Sequence, residues 1–214
     1  MKVALIGASG FVGSAVLKEA LMRGHNVTAI LRHPEEIKIQ DPKLTVKEGD
    51  VFNENEFAEL LRGQDAVIST YNPGWTNPEI AELTRKGHQA IINGVKRAHV
   101  KRLITAGGAG SLEIAPGKQL VDQPEFPAEW KTGAMALRDA LNTYRNEKDI
   151  DWTFFSPAIN IFPGERTGKF RLGSEQPILD EKGQGRISVQ DYAVAMIDEL
   201  ENPKHLKQRF TIGY

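Results

Sequence analysis

The chain has 214 residues, enough for one large domain or two small ones with a core that needs no staples. Its 27 Lys and Arg against 28 Asp and Glu leave a net charge of −1, which argues against a protein built to coat nucleic acid or an acidic membrane. There is no cysteine, which excludes a disulfide scaffold, a thiolate nucleophile and any Cys-ligated metal, and the glycine count of 20 is slightly high.

Strands and helices alternate along the chain. Residues 3–6 are a short apolar run ending in glycine, as a buried parallel strand would. Residues 11–23 have helical spacing, with Val12, Val16 and Ala20 four apart. Strands are expected over 27–31 and 44–46, a helix over 53–62 and a fourth strand over 66–69. A long helix follows over about 77–98, its inner face carrying Ile80, Leu83, Gly87, Ile91 and Val95. Then come a strand over 103–105, a helix over about 127–147 and a strand over 152–155. Ser188 starts a last helix with Asp191 three residues on, a capping-box pattern, and its apolar face is Tyr192, Ala193, Met196 and Leu200. Residues 210–212 form the final strand. This order predicts a single doubly wound α/β domain of Rossmann type over 1–214, with a mainly parallel sheet. The stretch 156–186 is rich in Gly, Pro and charge and is expected to form a small loop-rich lobe on the substrate side. The opening apolar run is too short for a signal-peptide core and no segment is long enough to span a bilayer, so a cytoplasmic protein is expected.

Gly7, Gly10 and Gly13 are spaced G-x-x-G-x-x-G between the first strand and the first helix. Glycine there permits a tight turn, close approach of backbone to a pyrophosphate and close packing of helix on strand. The helix N-terminus adds free N–H groups and a positive dipole, so Gly7, Ser9, Gly10, Phe11, Val12 and Gly13 are expected to hold a dinucleotide. An acidic residue at the end of the second strand would select NAD, but the chain has Arg32 and His33. A guanidinium can grip a 2′-phosphate, so NADP(H) is expected over NAD(H); the alternative is a solvated arginine. Asp50 and Val51, after the third strand, are placed beside the adenine, with a turn residue the alternative for Asp50. Ser69, Thr70 and Tyr71 end the fourth strand near the nicotinamide half. The five histidines have no metal-ligand spacing, and no metal site is expected.

With these stretches the chain resembles the atypical short-chain dehydrogenases with NmrA-like folds. It looks most like bacterial NADH-flavin reductases related to biliverdin-IXβ reductase/flavin reductase. Gly49-Asp50-Val51, Asn72-Pro73-Gly74-Trp75, Gly107-Gly108-Ala109-Gly110-Ser111-Leu112, Arg166-Thr167-Gly168-Lys169 and Arg209-Phe210-Thr211-Ile212-Gly213-Tyr214 carry the resemblance over essentially the whole chain. Standard short-chain dehydrogenases use a Ser, a Tyr and a Lys four residues after the Tyr. Tyr144 and Lys148 have that spacing, but Tyr144 falls late in its helix, where packing is the better reading. The family's serine position falls on Gly107 or Gly108, and Ser111, slightly later, is the candidate catalytic residue, with a turn hydroxyl the alternative.

Missing acid–base groups suit hydride transfer to a flavin or quinone, where orienting two rings supplies most of the acceleration. The resemblance therefore implies an NADPH-dependent reductase taking a planar small-molecule acceptor, with FMN or FAD as possible substrate. Gly107 and Pro157 are assigned to the cofactor, and Trp75, Gly108, Trp130, Asn160, Phe162 and Arg166 to the substrate. Arg166, Lys169 and Arg171 could steer a flavin phosphate, and glycines at 107, 108 and 110 could let a flat ring approach the backbone. The alternatives are a non-catalytic NADP redox sensor of the NmrA type and a nucleotide-sugar epimerase or dehydratase. Gly87 and Gly94, seven apart, imply close packing on the sheet or on a second subunit, so a monomer or weak homodimer is expected, without nucleic-acid or membrane partners.

Overall fold

The computed structural model describes residues 1–214. Its elements in chain order are β1 (Lys2–Ile6), α1 (Phe11–Met22), β2 (Asn26–Leu31), β3 (Leu44–Glu48), α2 (Glu54–Leu61), β4 (Ala66–Ser69), α3 (Ile80–Arg97) and β5 (Arg102–Ala106). They continue with β6 (Glu113–Ala115), β7 (Lys118–Gln119), α4 (Ala128–Asn146), β8 (Asp151–Ser156), β9 (Asn160–Phe162), β10 (Arg171–Gly173), β11 (Arg186–Ser188), α5 (Val189–Glu201) and β12 (Gln208–Gly213). Eight strands form one sheet in the order β10-β12-β8-β5-β4-β1-β2-β3. All neighbours are parallel except β10, which runs antiparallel to β12 at one edge.

The apolar strands divide their side chains between the two faces of the sheet. Val3 and Leu5 of β1 join Val16 and Leu17 of α1 and Met196 and Ile197 of α5 in one core. Ala4 and Ile6 join Phe57 of α2, Ile91 and Val95 of α3 and Leu141 and Tyr144 of α4 in the other. Helices thus cover both faces, as the alternation of elements predicts. No helix is long and apolar enough to cross a membrane.

Several boundaries move for local reasons. The long third helix begins at Ile80 rather than near Asn77. Pro78 disfavours helical backbone at Asn77, whose side chain instead accepts from Glu79 N at 2.9 Å. The capping box at α5 is half made. Ser188 Oγ accepts from Asp191 N at 3.0 Å, but the Asp191 carboxylate does not reach back. It accepts instead from Thr167 N and Gly168 N, both at 2.8 Å, and from the Thr167 and Tyr214 hydroxyls. Asp191 therefore ties the 163–169 loop to α5. The loop-rich stretch 156–186 itself carries two short strands, β9 and β10, and β9 pairs with β11, which begins at its end. Gly87 and Gly94 face the chain's own Tyr71 and Phe57 rings, so their close packing is internal.

Candidate functional site

A cleft of about 530 Å³, within the size range of small-molecule sites, crosses the carboxyl ends of the parallel strands. The turn after β1 forms its floor. Gly7 has φ of +78°, a left-handed conformation that a side chain would strain. A methyl group on Gly13 would lie 2.0 Å from the Gly7 carbonyl oxygen, so only glycine lets α1 start this close to β1. Thr70 locks the turn from β4 by donating to the carbonyls of Ile6 (2.9 Å) and Gly7 (3.1 Å). No side chain caps the start of α1, which leaves its first-turn N–H groups for a ligand, and Phe11, Val12 and Gly13 line the cleft. A bare helix N-terminus above a glycine cradle fits a pyrophosphate.

At the β2 and β3 end the walls are Arg32, His33, Glu36, Asp50, Val51 and Phe52. Arg32 is exposed and has no partner within the chain. Asp50 does serve as a turn residue, accepting from Phe52 N at 3.0 Å, yet it also lines the cleft. At the β4, β5 and β8 end the walls include Thr70, Tyr71, Trp75, Leu83, Ala106, Gly107, Leu137, Pro157, Ile161 and Tyr192. Two phenols reach this end, and both are engaged. Tyr71 Oη donates to Leu83 O at 3.2 Å, and Tyr192 Oη donates to Phe155 O at 2.6 Å. Burial pushes the Tyr71 phenol up to about 12, with Arg32 pulling it down and Asp50 pushing it up more weakly. Burial also drives the Tyr192 phenol well above its ordinary value, against a weaker opposing hydrogen bond at Gly107.

All expected cofactor residues line the cleft except Ser69, which is fully buried in β4 and accepts from Tyr71 N. The substrate and catalytic expectations fare less well. Trp75 lines the cleft, and Trp130 abuts it edge to face, with ring centroids 5.1 Å apart. Gly108, Asn160 and Phe162 do not line it. Ser111 is buried and does not line the cleft; its hydroxyl lies 3.5 Å from an Arg209 guanidinium nitrogen. Arg166 is held by two 2.8 Å bonds to buried Glu19, and Arg171 by the carbonyls of Leu179 and Tyr214, so neither is free to steer a phosphate. The space beside the glycines after β5 is also filled. Methyl groups there would strike Phe154 at Gly107, Leu137 at Gly108 and Ala134 at Gly110. Close side-chain packing, rather than an open path for a ring, explains them. Tyr144 is fully buried beside His88, as its late position in α4 implies, and Lys148 is exposed.

Sequence reasoning missed Ala106, Leu137, Ile161 and Tyr192. Tyr192 is read from spacing as a core-facing helix residue, and it and Leu137 are both buried; only the fold shows that these faces also border the cleft.

The profile of a family described as NAD(P)H-binding matches residues 7–203. The uncharacterized protein YwnB of Bacillus subtilis (strain 168) is 40% identical over 215 residues, covering 99% of this chain and 98% of its own. A Bacteroides thetaiotaomicron structure, provisionally named an epimerase, is 54% identical with a TM-score of 0.94, covering 100% of this chain and 96% of that one. A Streptococcus pneumoniae TIGR4 structure, provisionally named an NADH-flavin reductase, is 36% identical with a TM-score of 0.87, covering 100% and 99%.

Proposed function

The chain belongs to the NAD(P)H-binding family, and from that premise we propose that it is an NADPH-dependent reductase of a flavin, quinone or similar planar acceptor. Bound in the cleft, the dinucleotide supplies a hydride from its nicotinamide ring. The glycine turn and the start of α1 would hold its pyrophosphate, and Asp50 and Val51 its adenine. Arg32 and His33 would take the 2′-phosphate. Thr70, Tyr71, Gly107 and Pro157 would border the nicotinamide half.

The observation that carries the reading is the chemistry of the reacting end. Ala106, Gly107, Leu137, Pro157 and Ile161 offer no proton-transfer group, and both phenols already donate to carbonyls of their own chain. Alcohol oxidation or sugar epimerisation needs a base within reach of the substrate proton. Flavin reduction does not: one NADPH and one proton from water give NADP⁺ and the dihydroflavin, with the rings held face to face. The name of the S. pneumoniae relative agrees with this reading. The name of the B. thetaiotaomicron relative would require a base that this end of the cleft does not offer. The same lack of acid–base groups favours a second reading, a dinucleotide-binding redox sensor. Mixing the protein with NADPH and FMN or a naphthoquinone decides between them. Multiple turnovers are expected, and tight NADPH binding with no oxidation by any acceptor would favour the sensor.

A further inference from the structure

Resting on that reading, we propose that Trp75 is the stacking wall for the acceptor ring, and that the chain keeps Gly133 in α4 to hold the indole there. Trp75 is 40% exposed, large and apolar, and it lines the cleft beyond the end of β4, on the side away from Arg32 and Asp50. An exposed tryptophan alone needs no explanation. Three further features distinguish this one.

The loop that carries it is stapled. Asn72 Oδ1 accepts from Gly74 N at 2.7 Å, Gly74 takes φ of +104°, and Asn77 Nδ2 donates to Pro73 O at 3.3 Å. The indole is therefore held in place before any ligand arrives, which lowers the ordering cost of stacking. Its neighbour Trp130 meets it edge to face, with an interplanar angle of 81°. That near-perpendicular contact fixes the tilt of the Trp75 ring.

Gly133 is the third feature. Glycine inside a helix is a poor helix former, and Gly133 lies within the first two turns of a 19-residue helix. A methyl group at this position would stand 2.6 Å from Trp75 Cζ3 and 2.7 Å from Ile80 Cδ1. The glycine thus makes room for the six-membered ring of Trp75 against α4, at a cost in helix propensity. Pro73 and Leu137 give the same part of the cleft further apolar surface. An indole beside an apolar wall selects a flat conjugated ring, by area and quadrupole complementarity, over a hydroxylated sugar.

The test uses Trp75→Ala, Trp75→Phe and Gly133→Ala in the full chain, with FMN as the probe. Trp75→Ala should raise the KM for FMN about tenfold with a smaller change in kcat, and Trp75→Phe should recover most of that loss. Gly133→Ala should raise it in the same direction with the indole still present. FMN added to the NADP⁺ complex, where no turnover occurs, should quench tryptophan fluorescence in the unaltered protein and much less in Trp75→Phe. Thermal unfolding checks that each variant folds. An unchanged KM and unchanged quenching in the Trp75 variants, with the unaltered protein still reducing FMN, would overturn this proposal alone. Failure of the unaltered protein to bind or reduce FMN would overturn the functional reading and this proposal together.

Discussion

A guanidinium without a protein partner at the β2 end of the cleft is free to take a phosphate, and Arg32 is that group. Glu36 and Asp50 line the same end, so removing Arg32 would leave it acidic and suited to a ribose diol. Arg32→Asp should weaken NADPH about tenfold or more in direct titration while leaving NADH within about threefold; equal losses would refute the assignment. His88 makes a second test at this scale. Its ring is buried between those of Tyr71 and Tyr144, its Nδ1 lies 3.3 Å from Tyr144 Oη, and its Nε2 has no partner. Burial pushes its pKa down to about 4. The folded chain thus refuses a proton that the unfolded chain accepts near pH 6.5, so stability falls as pH drops from about 6.5 to about 4, by up to about 3 kcal/mol. Urea unfolding across that range should show a visibly shallower fall for His88→Phe than for the unaltered protein. The place of Arg32 and Asp50 in the cleft is legible because clefts in this fold lie at the carboxyl ends of the strands. Ser111 is not, because nothing in the local pattern says which way the turn after β5 faces.

At the scale of elements, the turn between β1 and α1 does most to create the site. Gly13→Ala would place a methyl group 2.0 Å from a backbone carbonyl that Thr70 also holds. The helix must then withdraw from the strand, and its N–H groups with it. NADPH affinity should fall more than about tenfold in the folded variant; unaltered affinity would mean that the cradle is elsewhere. Element type is read correctly throughout β1 to β5: β1, β2, β4 and β5 carry buried apolar runs, and the edge strand β3 shows only the alternation of Leu44 and Val46. The short strands β6, β7, β9, β10 and β11 carry no such signal. Each is two or three residues long; β6 and β7 pair locally with each other, while β9, β10 and β11 pair with strands distant in sequence. Asp191 shows the same limit. Its spacing from Ser188 matches a capping box, yet four donors from the 167–168 loop and Tyr214 outbid the local one.

Across the whole molecule, Asp191 joins the 163–169 loop to the helical layer. Burial alone would raise its pKa, but the hydrogen bonds from Thr167, Gly168 and Tyr214 outweigh it and hold the carboxyl below its usual range. Asp191→Ala leaves those donors unpaired and should cost about 3 kcal/mol, with new proteolytic cleavage in the 163–185 segment. An unchanged cleavage pattern would show that strand β10 and the Arg166–Glu19 pair hold that segment without Asp191. The sheet, its two covered faces and the cleft at the strand ends form one arrangement, whose β5 and β8 end is lined mainly by apolar residues and by two phenols engaged with backbone carbonyls. The central claim is that this arrangement passes hydride to a flat ring. Anaerobic mixing of the protein with NADPH and FMN, following the nicotinamide and flavin absorption bands together, tests it most directly. The account predicts coupled loss of both bands over many turnovers, and a stable NADPH complex with both bands unchanged would contradict it.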